Sequence, residues 1–96
     1  MDVLVTYDIE TTTPEGVRRL ARVAKICESY GSRAQKSVFE CRLSETTLQQ
    51  LVVELVNEID PHADSIYLYR FMGSIPNARM SLGRDLPHEL GQPWIL

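Results

Sequence analysis

The 96-residue chain has only two cysteines, Cys27 and Cys41, and two histidines, His62 and His88. The cysteines have no CxxC step and no histidine at a zinc-finger interval, which excludes a metal knuckle and a thiol redox motif. Both read as buried thiols of a reducing compartment. His62 follows Asp60-Pro61 in a turn and His88 lies in an irregular tail, and neither is spaced to serve as a general base. No apolar run approaches the roughly 18 residues of a membrane span, and no basic segment precedes the first apolar stretch. A cytoplasmic protein with no membrane contact is predicted. Internal repeats and low-complexity linkers are also missing, so the length allows one domain with one core.

What is present is sorted by segment. Gly16 to Lys36 carries Arg18, Arg19, Arg22, Lys25, Arg33 and Lys36 against a single acid, Glu28, whereas Ser44 to Asp64 carries five acids and neither Lys nor Arg. Behind a net charge of -3, one part of the surface is expected to attract phosphate while another repels it.

Periodicity supplies the elements. Asp2 to Ile9 alternates Val3, Val5, Tyr7 and Ile9 with Leu4, Thr6 and Asp8, the pattern of a strand buried on both faces through most of its length, with Asp8 at its far end. Thr13-Pro14-Glu15 gives an N-cap, a first-turn proline and an acid at the positive end of the dipole, so a helix starts near Thr13. Val17, Leu20, Val23, Ala24, Cys27 and Tyr30 line one side of it and Arg18, Arg22, Lys25 and Ser29 the other, with Gly31 as the C′ stop. Arg33 to Leu43 reads as two short strands broken near Ser37. Ser44 caps a second helix carrying Leu48, Leu51, Val52, Leu55 and Ile59, ended by Asp60-Pro61. Ser65 to Phe71 is the last strand, and the Gly- and Pro-bearing stretch from Met72 onward has no comparable signal.

The order β-α-β-β-α-β predicts an α+β, ferredoxin-like domain over residues 1–72: an antiparallel sheet with two helices on one face, followed by a tail over 73–96. That fold hosts many functions, so residues must discriminate. No K/R-G-F/Y-G/A-F stretch supports an RNA-recognition motif, and Ile9-Glu10-Thr11-Thr12-Thr13 lacks the paired cysteines of a metal chaperone.

Tyr7-Asp8-Ile9 at a strand end, the Arg22-Val23-Ala24 step in a basic helix, and the block Gly31-Ser32-Arg33-Ala34-Gln35-Lys36-Ser37-Val38-Phe39-Glu40 together resemble the CRISPR-associated Cas-two family. Ala34 departs from the larger β-branched residue common in that block. The resemblance runs through Asp60-Pro61 and the last strand to the apolar ending Pro93-Trp94-Ile95-Leu96, and it implies a homodimer that bridges the CRISPR integrase, the Cas-one protein, during spacer acquisition. It also implies a divalent-metal-dependent nuclease on single-stranded RNA or double-stranded DNA, with Asp8 as catalytic residue and metal ligand.

Phosphodiester hydrolysis calls for hard oxygen ligands to Mg²⁺ (Mn²⁺ is the substitute), and one carboxylate per chain is too few for a tight site. An Asp8 from each protomer, meeting across a two-fold axis, would supply two. Arg19, Arg22 and Arg33 are the candidate phosphate ligands, and Tyr7 and Phe39 the residues expected to line the dimer cleft. Spacing alone also allows Asp8 to be a loop cap and the Arg18, Arg22, Lys25 stripe to be a solvated face. The alternative function is a non-catalytic DNA-bridging subunit whose Asp8 is vestigial. The apolar ending is expected to add an edge strand to the partner protomer or to contact the integrase.

Overall fold

The computed structural model describes residues 1–84, so the expectations for the apolar ending and for His88 lie outside the described residues. The elements are β1 (Asp2–Asp8), α1 (Pro14–Glu28), β2 (Gly31–Gln35), β3 (Val38–Arg42), α2 (Glu45–Glu58), β4 (Ser65–Phe71) and a four-residue helix α3 (Ile75–Ala78). The sheet order is β2-β3-β1-β4 with every neighbouring pair antiparallel, the ferredoxin-like arrangement. Val3, Val5 and Tyr7 of β1 and Phe39 and Cys41 of β3 form one core with Val23 and Cys27 of α1 and Leu48, Leu51 and Leu55 of α2. Both helices therefore cover the same face of the sheet, because alternation sends every second strand residue to that side.

Local chemistry fixes the element ends. Thr13 Oγ1 accepts the Gly16 N–H at 3.1 Å with Pro14 in the first turn, and Ser44 Oγ accepts the Thr47 N–H at 3.1 Å. At the far end of α1 the Ser29 N–H donates to the carbonyls of Ile26 and Lys25 with Ser29 in right-handed helical geometry. Gly31 is thus not the left-handed stop expected of it; its φ is not positive, and it opens β2. Glycine is required there because a Cβ would lie 3.0 Å from the Cys41 Cα and overlap the Glu40 carbonyl oxygen and the Cys41 sulfur. β2 and β3 turn at Lys36-Ser37, and the register jumps from Arg33↔Phe39 to Gln35↔Val38, leaving Ala34 as a β-bulge residue.

Three further expectations change. β1 is fully covered on its helix side only: on the other face Asp2 is buried where the Ile75 N–H meets it, but Leu4 and Thr6 are half-buried and Asp8 is exposed. Val17 is 53% exposed, and the α1 side chains that pack on the core begin at Leu20. The stretch after Met72 is not irregular throughout. Ser74 caps α3, Ile75 is buried, and the Ile75 N–H donates to Asp2 Oδ2 at 2.8 Å, so this part of the tail is docked beside β1. Among the described residues no helix is long and apolar enough to cross a membrane.

Candidate functional site

Asp8 is the last residue of β1 and faces Ser65 of β4 across the ladder. By alternation it shares a sheet face with Asp2, Leu4 and Thr6, the face turned away from the helices. Its carboxylate is exposed and makes no hydrogen bond or ion pair among the described residues. In this it differs from every other acid there. Asp2 pairs with Arg42, Glu15 with Arg18, Glu28 with Arg33, Glu40 with Arg79, Glu45 with Arg70, Glu58 with Arg22 and Asp64 with Arg19. Glu54 accepts the Tyr30 hydroxyl, and Glu10 and Asp60 accept the backbone N–H groups of Thr12 and His62.

Tyr7 and Phe39 do not line an open cleft. Phe39 has no exposed surface and Tyr7 is 7% exposed; they stack with centroids 6.2 Å apart on the helix side of the sheet, and the Tyr7 hydroxyl donates to the Lys36 carbonyl at 3.2 Å. Their strand positions have the parity of Val3 and Val5, which places them in the core. Burial, reinforced by the neighbouring Cys27, pushes the Tyr7 phenol up, so at neutral pH it stays a protonated hydrogen-bond donor. Arg33 closes the stack from the edge strand: its guanidinium carbon lies 5.1 Å from the Phe39 centroid, while Nη2 reaches Glu28 at 3.4 Å. Tyr7, Phe39 and Arg33 are therefore brought together, but on the opposite face from Asp8.

The charge segregation of the sequence is partly consumed in space, because α1 and α2 lie side by side on that face. Arg22 Nε meets Glu58 at 2.9 Å with 52% of the Arg22 side chain exposed, and so remains able to exchange its partner. Arg19 is different. Only 14% of its side chain is exposed; Nε lies 2.8 Å from Asp64 Oδ2 and Nη2 3.4 Å from Oδ1, and the Asp64 side chain is wholly buried. A buried carboxylate needs a cation, and Arg19 is the one that supplies it, which removes Arg19 from the phosphate-binding set.

Asp64 is the residue that sequence reasoning undervalued. Besides Arg19 it accepts the Glu10 N–H (2.9 Å to Oδ1) and the Asp60 N–H (2.9 Å to Oδ2). Burial alone would raise its carboxyl, but the bonds from Arg19, Asp60 and Glu10 together outweigh burial and hold it below the usual carboxylate range. Its signal in the sequence was an acid directly ahead of an apolar strand, a position where solvent is soon excluded. Asp2 is a second case: Oδ1 takes Arg42 Nε at 2.9 Å and Oδ2 takes the Ile75 N–H.

The face that carries Asp8 exposes two aromatics among polar neighbours such as Thr6, Glu40 and Ser65. Tyr67 (62% exposed) and Tyr69 (50%) meet edge-on with centroids 6.3 Å apart, opposite Thr6 and Leu4 respectively. Beside them a groove of about 490 Å³ mixes apolar Leu4, Val38 and Phe71 with polar Arg33, Gln35 and Glu40. Arg79 reaches across it, with Nη1 2.9 Å from both oxygens of Glu40. Among the described residues no three His, Cys, Asp or Glu side chains cluster as a metal cage. The donor set available to a divalent cation is the single free carboxylate of Asp8, a hard oxygen that suits Mg²⁺ or Mn²⁺ retaining most of its water.

Comparison with known proteins fits this geometry. Residues 1–74 match the family model described as CRISPR associated protein Cas2. The chain is 53% identical over its whole length, and the whole of its counterpart's, to a protein of Chlorobaculum tepidum named CRISPR-associated endoribonuclease Cas2. It is 40% identical, over 99% of both chains, to one of Halalkalibacterium halodurans named CRISPR-associated endonuclease Cas2. Among solved structures it is similar to Streptococcus pyogenes Cas2, crystallised at pH 6.5, with a TM-score of 0.79 and 42% identity over 86% of this chain and all of that one. With the strand-end aspartate, the basic first helix and the four-stranded sheet accounted for along the matched length, the chain belongs to the CRISPR associated protein Cas2 family.

Proposed function

We propose that this protein serves CRISPR adaptation as a homodimer that binds nucleic acid and bridges the CRISPR integrase, and that Asp8 of each protomer is the ligand of a divalent cation for phosphodiester hydrolysis of single-stranded RNA or double-stranded DNA. The observation that carries the reading is the solitary freedom of Asp8: ten other acids among residues 1–84 are engaged, and this one, at the end of a fixed strand, is not. The names of the relatives, endoribonuclease and endonuclease, point to the same reaction class. The exposed pair Tyr67 and Tyr69 supports the homodimer, since covering it would bury two large aromatics per chain and bring together two copies of the face that bears Asp8.

A bound Mg²⁺ or Mn²⁺ would polarise the phosphoryl oxygen and activate a water. The chain's own contribution is to hold a carboxylate at a defined strand end and to present Arg22 and Arg33, whose side chains are half-exposed and within reach of a phosphate. A second reading, a non-catalytic bridging subunit, is favoured by the lone carboxylate and the lack of a ligand cluster among the described residues.

The test is to incubate wild type and Asp8→Ala with labelled duplex DNA and single-stranded RNA in Mg²⁺, Mn²⁺ or chelator, with light scattering to establish that both are dimers. Metal-dependent cleavage that disappears in Asp8→Ala supports the nuclease. Binding without cleavage by either protein selects the bridge.

A further inference from the structure

Asp8 ends β1, and beyond it the chain must turn toward α1 without a regular element to hold it. Two contacts fix that turn. The Glu10 N–H donates to Asp64 Oδ1 at 2.9 Å, and Gly16 of α1 lies so close to the Glu10 carbonyl that a Cβ there would sit 2.9 Å from its carbon. Asp64 is also the residue next to Ser65, the cross-strand neighbour of Asp8. Its other oxygen takes the Asp60 N–H, and its remaining bonds go to Arg19. One buried carboxylate thus joins the loop after β1, the loop before β4 and the first half of α1, the three segments that surround the strand end.

We infer that Asp64, held by Arg19, is the positioning residue for Asp8: it fixes the end of β1 against β4 and so sets where the free carboxylate stands. This rests on the reading of Asp8 as the metal-binding carboxylate. Asp64 itself is not a ligand, because its side chain has no exposed surface and its oxygens are occupied by Arg19, Glu10 and Asp60. The geometry explains why an arginine of the basic helix points into the protein. It also gives the two acids different roles, since a carboxylate with four donors around it cannot serve a cation, and the one two residues before Glu10, with none, can.

Asp64→Asn keeps the volume but offers Arg19 an amide donor where it needs an acceptor, and removes the charge. Leu48→Ala is the matched control. Leu48 is buried at the start of α2, where Glu45 pairs with Arg70 near the other end of β1 and β4, so it destabilises the core far from Asp8. Wild type, Asp8→Ala, Asp64→Asn and Leu48→Ala would be titrated with Mn²⁺ while amide resonances of residues 8–11 are followed by NMR, and cleavage kinetics and amide hydrogen exchange would be measured on the same samples. Expected for Asp64→Asn are at least fivefold weaker Mn²⁺ broadening at residues 8–11, kcat down tenfold or more with KM within twofold, and faster exchange at Glu10. Leu48→Ala should lower the melting temperature yet leave all three at wild-type values. A folded Asp64→Asn with wild-type Mn²⁺ titration and Glu10 exchange would overturn the inference, as would equal losses in Leu48→Ala. If wild type neither binds Mn²⁺ near Asp8 nor cleaves, the reading of Asp8 fails by itself. Exchange at Asp8 and Glu10 then decides the positioning role: acceleration in Asp64→Asn alone upholds it, and no acceleration ends it.

Discussion

Replacing Gly16 by alanine separates what helix propensity predicts from what the packing predicts, because the two have opposite signs. Gly16 is helical and its φ is not positive, so on propensity alone alanine should stabilise by about 0.4–1 kcal/mol. The geometry says otherwise. A Cβ on Gly16 would lie 2.9 Å from the Glu10 carbonyl carbon and 3.3 Å from the Thr11 Cα, and nearer still to the Glu10 oxygen. Carbon atoms are comfortable at about 3.5–4.0 Å, so α1 and the loop must part by roughly 0.6–1 Å or more. The loop cannot yield freely, since the Glu10 N–H is bonded to Asp64. Overpacking of this kind costs about 1–3 kcal/mol, which leaves a net loss of roughly 1–2 kcal/mol after the propensity gain. In a domain of this size each kcal/mol moves the melting temperature by about 4–8 °C, so Gly16→Ala should melt some 5–15 °C below wild type. The assay is thermal unfolding by circular dichroism at one fixed protein concentration, because association would otherwise shift the midpoint. Gly73→Ala is the internal control: nothing lies within 4 Å of its Cβ position, so its midpoint should stay level or rise. Gly16→Ala melting at or above wild type would refute the close approach of loop and helix.

Tyr7→Phe removes the hydroxyl that bonds the Lys36 carbonyl and should cost about 0.5–1.5 kcal/mol in urea unfolding while leaving nucleic-acid affinity unchanged; a loss of affinity at equal stability would return Tyr7 to a binding surface. Arg22→Glu should weaken binding to duplex DNA and lower the slope of log K against log salt by about 0.9 or more, and an unchanged slope in a salt titration would take Arg22 out of the interface. Burial and the nearby Cys41 push the Cys27 thiol up to about 12, so neither buried cysteine should react with a thiol reagent at pH 8 until the protein unfolds, as a time course with and without denaturant would show. The lowered carboxyl of Asp64 contributes stability that is complete above the usual carboxylate range and disappears as pH falls through the lowered value. The difference between wild type and Asp64→Asn in urea midpoint should therefore be constant from pH 7 to about 5 and shrink below about 4; a difference independent of pH down to about 3 would show that its charge is not what matters.

The elements were legible because their signals are local. The hydroxyl caps Thr13 and Ser44, the period-two run of β1 and the apolar stripe of α2 each lie within a few consecutive residues, and all four stand where they were expected. Asp8 was legible as a strand-end acid for the same reason. What misled were features decided by the third dimension. Tyr7 and Asp8 are adjacent in sequence, yet a strand sends them to opposite faces, so reading both into one cleft contradicted the alternation that had defined the strand. The stop at Gly31 followed the usual meaning of glycine after a helix, but its cause was the backbone of Glu40 and the sulfur of Cys41, which come from another strand. Segment charge did not show which basic residues would meet which acids; Arg19 and Asp64 are 45 positions apart and become neighbours only when β4 pairs with β1.

That pairing also explains how an acidic protein can keep one acid in reserve. Burying Asp64 and Asp2 demands a donor for almost every lone pair, and the fold supplies them from Arg19, Arg42 and backbone N–H groups at strand and helix ends. Glu15, Glu28, Glu40, Glu45 and Glu58 lie on surfaces where α1, β2, β4 and the segment after α3 offer arginines, so they pair at little gain in stability, and Glu10, Glu54 and Asp60 accept from nearby N–H or hydroxyl groups. Asp8 escapes both fates because it stands on the face opposite the basic helix, at the end of a strand whose cross-strand neighbour is a serine. Its isolation follows from topology, and any cation that approaches this end of the sheet meets a carboxylate with no internal competitor among residues 1–84.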